Sequence, residues 1–362
     1  MCSSDLAVRA ALPAGVRLFY AVKANGHPEV VYTLAQVCDG LEVASGGELT
    51  LARAAGAAEV VFSGPAKTDV QLRQAVAAGA LVHVESEHEL RRLALVAQQM
   101  GQVVQVAVRV NRAAAAPAGS HTMTGVATPF GVEEAQLPQV LAVAAGMPQV
   151  RLVGFHLHAV SNSLDAAGYA RFVVDAVAWA LEAARRHRVQ LRYVNTGGGL
   201  GVDYTGSGRF DLEVLRDGLA PLAGMLPAGV RLAVEPGRIL AADAGWYAAQ
   251  VLDLKYTHGR WFAVLRGGTH HFRLPAAWGY SHPFTVLPVE RWEYPFDRPQ
   301  VCRVEVDAVG ELCTPRDVLA RGVWVDRLRV GDVLVFGRAG AYGWDISHHE
   351  FLRHPYPQIL VV

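Results

Sequence analysis

Lys23 stands at the end of an apolar run, within Phe19-Tyr20-Ala21-Val22-Lys23-Ala24-Asn25. A buried strand that delivers an ammonium there needs compensation, because desolvation disfavours the charged form. A neutral amine in a pocket is a nucleophile that can form a Schiff base with a carbonyl. A strand-end lysine that snorkels into solvent is the plainer alternative. Other apolar runs also end on polar residues: Glu42 with Ser45, Arg109, His158 with Ser161, Gly197-Gly198-Gly199, and Glu235 with Arg238. Singly, Arg109 reads as a salt-bridge partner, His158 as a satisfied strand histidine and the glycine run as a tight turn.

As a group they describe one ligand. The stretch Asn195-Thr196-Gly197-Gly198-Gly199-Leu200-Gly201 lets backbone amides approach an anion, Arg238 adds a bidentate contact, and Ser161 offers a hydroxyl. Glu235 could hold a ring nitrogen protonated, the flat imidazole of His158 could stack on that ring, and Lys23 would bond an aldehyde carbon. A phosphate, a basic ring nitrogen and an aldehyde together make pyridoxal phosphate.

The elements that must position these groups are short apolar runs alternating with helical patterns. Strands are expected at Arg17–Lys23, Leu41–Ala44, Val60–Ser63, Leu81–Val84, Val104–Val110, Leu152–His158, Leu191–Asn195 and Arg231–Glu235. Helical patterns lie between them, including Pro28–Val37, Thr68–Ala78, Asp165–His187 and Leu212–Met225. About eight βα units with continuously apolar strands indicate an α/β fold, a (β/α)8 TIM-like barrel, with chemistry at the strand ends. After Glu235-Pro236-Gly237-Arg238 the texture changes to short β-prone runs punctuated by Gly, Pro and aromatics. That predicts an antiparallel β-domain. The boundaries expected are 16–243 for the cofactor-binding barrel and 244–362 for the β-domain, with 1–15 a partial leading helix.

The 362 residues carry 33 Lys+Arg against 33 Asp+Glu, which gives no reason to expect nucleic acid or an anionic membrane as a partner. No apolar run is long enough to span a bilayer, although 52% of the chain is hydrophobic. The four cysteines, Cys2, Cys38, Cys302 and Cys313, lack metal-ligand spacing and fit free thiols in a reducing, cytoplasmic setting. No signal peptide is expected before the first strand.

Tyr20 to Asn25, His156-Leu157-His158-Ala159-Val160-Ser161, Gly197-Gly198-Gly199, Glu235-Pro236-Gly237-Arg238, Cys313 through Asp317 and Gly340-Ala341-Tyr342 occur in that order. From about residue 16 onward the chain resembles the fold-type III pyridoxal-phosphate decarboxylases, which include those of ornithine, arginine and diaminopimelate. The resemblance implies Lys23 as the lysine that holds the cofactor and His158 as the stacking residue. It implies Ser161, the glycine loop, Gly237 and Arg238 around the phosphate, with Tyr342 nearby. Glu235 would face the pyridine nitrogen, while Glu42 and Arg109 would support the lysine and ring. Cys313 would come from a partner subunit to protonate the carbanion, making the active unit a homodimer with shared sites. A carboxylate at Glu235 favours decarboxylation; related racemases place an arginine there. The family also begins with a β-domain strand that this chain lacks, so an incomplete domain edge and lower stability are expected.

Departures from the family pattern bear on the substrate. Decarboxylases of basic amino acids follow the cysteine with an acid; here Thr314, Pro315 and Arg316 follow, then Asp317. His270, His271 and Arg273 fall where the family binds the distal end of its substrate. A hydroxyl and guanidinia suit an anion better than a second ammonium. These segments resemble the branch that serves carboxylate siderophore assembly by decarboxylating a citryl-diaminopropionate intermediate of the staphyloferrin B type. Diaminopimelate decarboxylation is the alternative. A metal-dependent amidohydrolase-like barrel, in which the His-x-His pair binds zinc, is a remote one; our expectation is no metal. Adjacent His270 and His271 are expected on opposite faces of a strand.

Overall fold

The computed structural model describes residues 3–114 and 116–362; Cys2 lies outside them. The chain divides into two compact units, one comprising residues up to 202 together with 209–240, the other 203–208 together with 241–362.

The first unit is a closed barrel. Its strands are β1 (Arg17–Ala21), β2 (Gly40–Val43), β3 (Val60–Phe62), β4 (Leu81–Val84), β5 (Val104–Asn111), β6 (Val150–His156), β7 (Tyr193–Asn195) and β8 (Arg231–Val234). Each pairs in parallel with its sequence neighbours, and β8 pairs with β1 to complete the ring. Closure leaves no open edge in the ring and directs all eight C-terminal ends to one mouth. Below the mouth, Phe19, Val61, Leu81, Ala107, Val153, Tyr193 and Ala233 form a buried layer. Strands β2, β3 and β4 are buried at every position, so their continuous apolar runs have helices on one face and the barrel core on the other.

Polar residues start the surrounding helices. Ser45 accepts the Glu48 amide to open the helix Gly46–Ala54, Thr68 and Gln71 form a capping box on the helix Asp69–Ala77, and Asp165 caps the helix Ala166–His187. The helix expected over Leu212–Met225 is two pieces, Leu212–Leu219 and Leu222–Met225, separated at Pro221, which cannot continue an α-helical hydrogen-bond ladder. The leading helix expected within residues 1–15 runs Ser3–Ala11. Strand β1 stops at Ala21, short of the expected Lys23. The next three residues form a 3-10 turn closed by the Asn25 amide on the Val22 carbonyl.

The second unit is built on a six-stranded sheet. Its strands are β9 (Tyr247–Thr257), β10 (Arg260–Leu265), β11 (Thr285–Leu287), β12 (Gln300–Val309), β13 (Val318–Arg329) and β14 (Val333–Phe336), in the spatial order β11-β14-β9-β10-β12-β13. All neighbours are antiparallel except β10 and β12, which run parallel. The expected antiparallel domain is therefore mostly antiparallel, with one parallel pair.

Candidate active site

Every barrel strand delivers a polar side chain to the mouth or just beneath it: Lys23 after β1, Glu42 on β2, Ser63 after β3, His83 on β4 with Glu85 after it, Arg109 on β5, His156 on β6 with His158 after it, Asn195 on β7 and Glu235 after β8. Because β8, β1 and β2 are neighbours, Glu235, Lys23 and Glu42 come from adjacent strand ends. Lys23 Nζ donates to Glu42 Oε2 at 2.9 Å; the lysine side chain is 47% exposed and the carboxylate 1%. Burial of the lysine is therefore not what tunes it. The buried partner is the carboxylate, which burial pushes above its ordinary range; Glu235 adds to that, while Lys23 and the Ser63 hydroxyl oppose it.

Glu235 accepts from Asn195 Nδ2 at 2.6 Å, and the same amide donates to the Tyr193 hydroxyl at 2.6 Å. His83 Nδ1 lies 3.8 Å from Glu235 Oε1 and His156 Nε2 3.5 Å from Oε2. Burial, with nearby cations, holds His83, His156 and His158 well below the ordinary imidazole pKa, so all three are neutral. Arg109 donates to Glu85 at 3.0 Å and packs over Phe130, so its direct partner is that acid rather than Lys23. Ser45, read as a site residue, spends its hydroxyl on the helix cap.

The glycine loop is small because the protein itself crowds it. A Cβ at Gly197 would stand 2.3 Å from His158 Nδ1, one at Gly198 2.4 Å from the Glu235 carbonyl, and one at Gly199 2.8 Å from the Val160 carbonyl. Gly197 and Gly199 also have φ of +70° and +124°. Gly237 packs on Ala24, the residue after Lys23, where a Cβ would be 2.8 Å from that side chain. Ser161 is half-buried on a two-residue strand with Val160, and the buried Arg238 opens a single helical turn.

Ring geometry argues against the zinc alternative. His83, His156 and Glu235 bring ligating atoms within 4.8 Å of one another. His83 and His156, however, are stacked at 4.2 Å and 28°, and His156 and His158 lie 6.3 Å apart at 19°. Imidazole lone pairs lie in the ring plane, so near-parallel rings one above another do not converge on a single ion.

In the second unit, Cys313 is an exposed thiol in a turn, followed by half-buried Thr314 and exposed Arg316. Asp317 is buried and accepts from the Thr269 and Leu312 amides, at 2.6 and 2.9 Å. Its oxygens fasten two loops together. His270 and His271 lie on a turn, not a strand, because Gly267 and Gly268 take φ of +113° and +153° after β10 ends; their rings sit 3.9 Å apart instead of on opposite faces. Glu311 Oε1 stands 3.5 Å from both His270 and His354. Arg273 is exposed, and the Tyr342 ring lies 5.9 Å from Trp278.

A family profile for the pyridoxal binding domain of pyridoxal-dependent decarboxylases matches residues 5–242. The chain belongs to the pyridoxal-dependent decarboxylases. It is similar to the 2-[(L-alanin-3-ylcarbamoyl)methyl]-2-hydroxybutanedioate decarboxylase of Staphylococcus aureus, 39% identical over 98% of this chain and 89% of that protein. It is 31% identical to the diaminopimelate decarboxylase of Aquifex aeolicus, over 98% of this chain and 83% of that one. The solved structure of Helicobacter pylori diaminopimelate decarboxylase complexed with L-lysine matches with a TM-score of 0.85 at 25% identity, covering 97% of this chain and 86% of that chain.

The barrel mouth of the decarboxylase fits pyridoxal phosphate. It offers an exposed amine for an aldehyde and a carboxylate whose neighbouring imidazoles are uncharged. His158 adds a flat ring whose Nδ1 has no hydrogen-bond partner. Sequence reasoning missed Ser63, His83, Glu85 and Tyr193. All four sit on or just after strands that it did identify, Val60–Ser63, Leu81–Val84 and Leu191–Asn195. The available signal was a histidine inside the apolar run Leu81-Val82-His83-Val84.

Proposed function

We propose that this decarboxylase removes the α-carboxylate of an amino acid whose far end is anionic, namely 2-[(L-alanin-3-ylcarbamoyl)methyl]-2-hydroxybutanedioate or a close analogue. The observation that carries the reading is the state of the loop from Glu311 to Asp317. Its two acids already have partners, Asp317 in backbone amides and Glu311 in His270 and His354. What the loop still presents is a thiol, a hydroxyl and a guanidinium, a neutral-to-positive set that matches a tail with two carboxylates and leaves a second ammonium unpaired. The 39% identity to the S. aureus enzyme supports the same substrate.

Pyridoxal phosphate, when bound, supplies the electron sink for the pair left behind as carbon dioxide departs. Lys23 supplies the amine that anchors it, and Glu42 holds that amine by its ion pair. Glu235 keeps a proton on the ring nitrogen, since a carboxylate favours the cation facing it. His158 would cover a ring face, while the glycine loop, Ser161, Gly237 and Arg238 would take the phosphate. Cys313 returns a proton to the α-carbon from a partner subunit, so the active form is a homodimer. A single-chain mass by light scattering of the active enzyme would contradict this. Among the described residues no helix is long and apolar enough to cross a membrane. The unpaired Cys38, Cys302 and Cys313 support a reducing, cytoplasmic setting.

The test is carbon dioxide release by the purified enzyme from this compound and from meso-diaminopimelate. Turnover of the first with little of the second is expected. The reverse preference would refute the substrate reading and leave the diaminopimelate alternative.

A further inference from the structure

Ser161 and the glycine loop follow two different strands, β6 and β7, and a short stretch of chain ties them together. Ser163 N donates to the Gly199 carbonyl at 2.8 Å, and Gly201 N donates back to the Ser163 carbonyl at 2.9 Å. The approach is close, since a Cβ at Gly201 would stand 2.3 Å from that carbonyl. The third tie is a side chain. Asn162 Oδ1 accepts the Val202 amide at 2.8 Å, just past the end of the loop. Asn162 has φ of +50°, a left-handed conformation that asparagine adopts more readily than most residues other than glycine. A separate set of bonds holds the same segment: the Ser161 carbonyl accepts Ser120 N at 2.8 Å and Ser120 Oγ at 3.0 Å, and the Ala159 carbonyl accepts Met123 N at 2.7 Å. Within the loop, the Gly197 amide is spent on Asn195 Oδ1, and those of Gly201 and Val202 on Ser163 and Asn162. Among the described residues, the amides of Gly198, Gly199 and Leu200 donate to no protein acceptor. Three consecutive N–H groups without a partner are what the loop can offer an anion.

We propose that Asn162 is a positioning residue for the cofactor's phosphate, its bond to Val202 fixing the far end of the glycine loop against the Ser161 segment. The inference rests on the cofactor reading given above. The oxygen of Asn162 is spent on Val202, so the residue acts through the loop and not on the cofactor. The loop is then pinned at both ends by asparagine oxygens, Asn195 at Gly197 and Asn162 at Val202. Its free amides are in place before the phosphate arrives. Without the second pin, ordering the loop is left to the binding event, and its entropic cost is subtracted from the affinity for the phosphate. Asn195 also donates to Glu235, so replacing it would disturb the ring-nitrogen side as well. Asn162 is tied to the phosphate end, which makes its contribution separable. By reciprocity, a phosphate held by the loop also strengthens the Asn162–Val202 bond.

The experiment compares the dissociation constants of pyridoxal phosphate and of pyridoxal, which lacks the phosphate, for wild type and Asn162→Gly. Absorbance reads the binding, and melting temperatures are recorded in parallel. Glycine keeps the left-handed backbone open to the chain and removes the acceptor. The variant is expected to bind pyridoxal phosphate roughly 3- to 10-fold more weakly, the effect of losing one hydrogen bond, and pyridoxal within about twofold of wild type. Unchanged affinity for pyridoxal phosphate would overturn the proposal. Equal weakening of both compounds would overturn it too, because a general loss of structure does not distinguish them. Where the variant does not fold, hydrogen exchange of the Val202 amide in the wild-type chain decides. Slower exchange with pyridoxal phosphate than with pyridoxal supports the tie, and equal exchange overturns it. A wild-type protein that binds neither compound would instead refute the cofactor reading, and this inference with it.

Discussion

At Glu235 a buried carboxylate is surrounded by neutral partners. Asn195 donates an amide hydrogen, and the His83 and His156 rings are held uncharged by burial and by Arg109, Lys67 and Lys23. With nothing cationic in direct contact with it from that side, the carboxylate's charge remains available to a protonated ring nitrogen. Glu235→Gln preserves the size and the Asn195 side of the contact while removing the charge. The expected outcome is a kcat lowered by roughly 10²–10⁴-fold with the cofactor still bound. Rates within a few-fold of wild type would show that ring protonation does not depend on Glu235. The Lys23–Glu42 pair follows a different logic, because there the lysine is half-exposed and only its partner is buried. Composition could not reveal this. An apolar run ending in lysine looks the same whether the amine points into the core or out of the barrel mouth.

At the scale of elements, function depends on loops held by buried acids. Asp317 joins the turn after β10 to the turn before β13 through the Thr269 and Leu312 amides. Removing it leaves two buried donors unsatisfied, and Asp317→Ala should cost roughly 2–5 kcal/mol in the second unit by thermal or urea unfolding. An unchanged melting curve with a raised KM would return Asp317 to the substrate-contacting role the sequence suggested. The barrel strands were legible because parallel strands buried on both faces leave continuous apolar runs, and the polar residues at their ends stand out against them. Ser45 was misread because a serine after a strand and a serine before a helix are the same residue in a βα turn, and here the helix claimed it. His270 and His271 were placed on a strand because nothing in a Gly-Gly pair announces how far it bends the chain. Ser63, His83 and Tyr193 escaped for another reason. His83 lies 20 residues from Ser63 and 110 from Tyr193 in sequence, and only barrel closure brings them together.

For the molecule as a whole, its buried histidines should make it acid-sensitive. His282 is 1% exposed, donates from Nε2 to the Gly337 carbonyl and, as a neutral ring, accepts the Tyr280 hydroxyl at Nδ1. Burial first, then Arg338, lower its pKa from 6.5 to about 4, against the pull of the Gly337 carbonyl. Its folded-state pKa lies below the unfolded one, so between these values the unfolded chain binds more protons. Stability is therefore full above pH 6.5 and falls as pH drops toward 4, by about 3 kcal/mol from this residue. Urea unfolding across that window should show His282→Gln with a shallower pH dependence than wild type, by up to about 1.4 kcal/mol per pH unit. Equal slopes would mean that His282 is charged in the folded state. The account as a whole turns on where the cofactor is attached. Borohydride reduction of the purified holoenzyme followed by peptide mass spectrometry locates it directly. A phosphopyridoxyl group on the peptide bearing Lys23 is the expected result; the group on Lys67 or Lys255, or on no lysine, would contradict it.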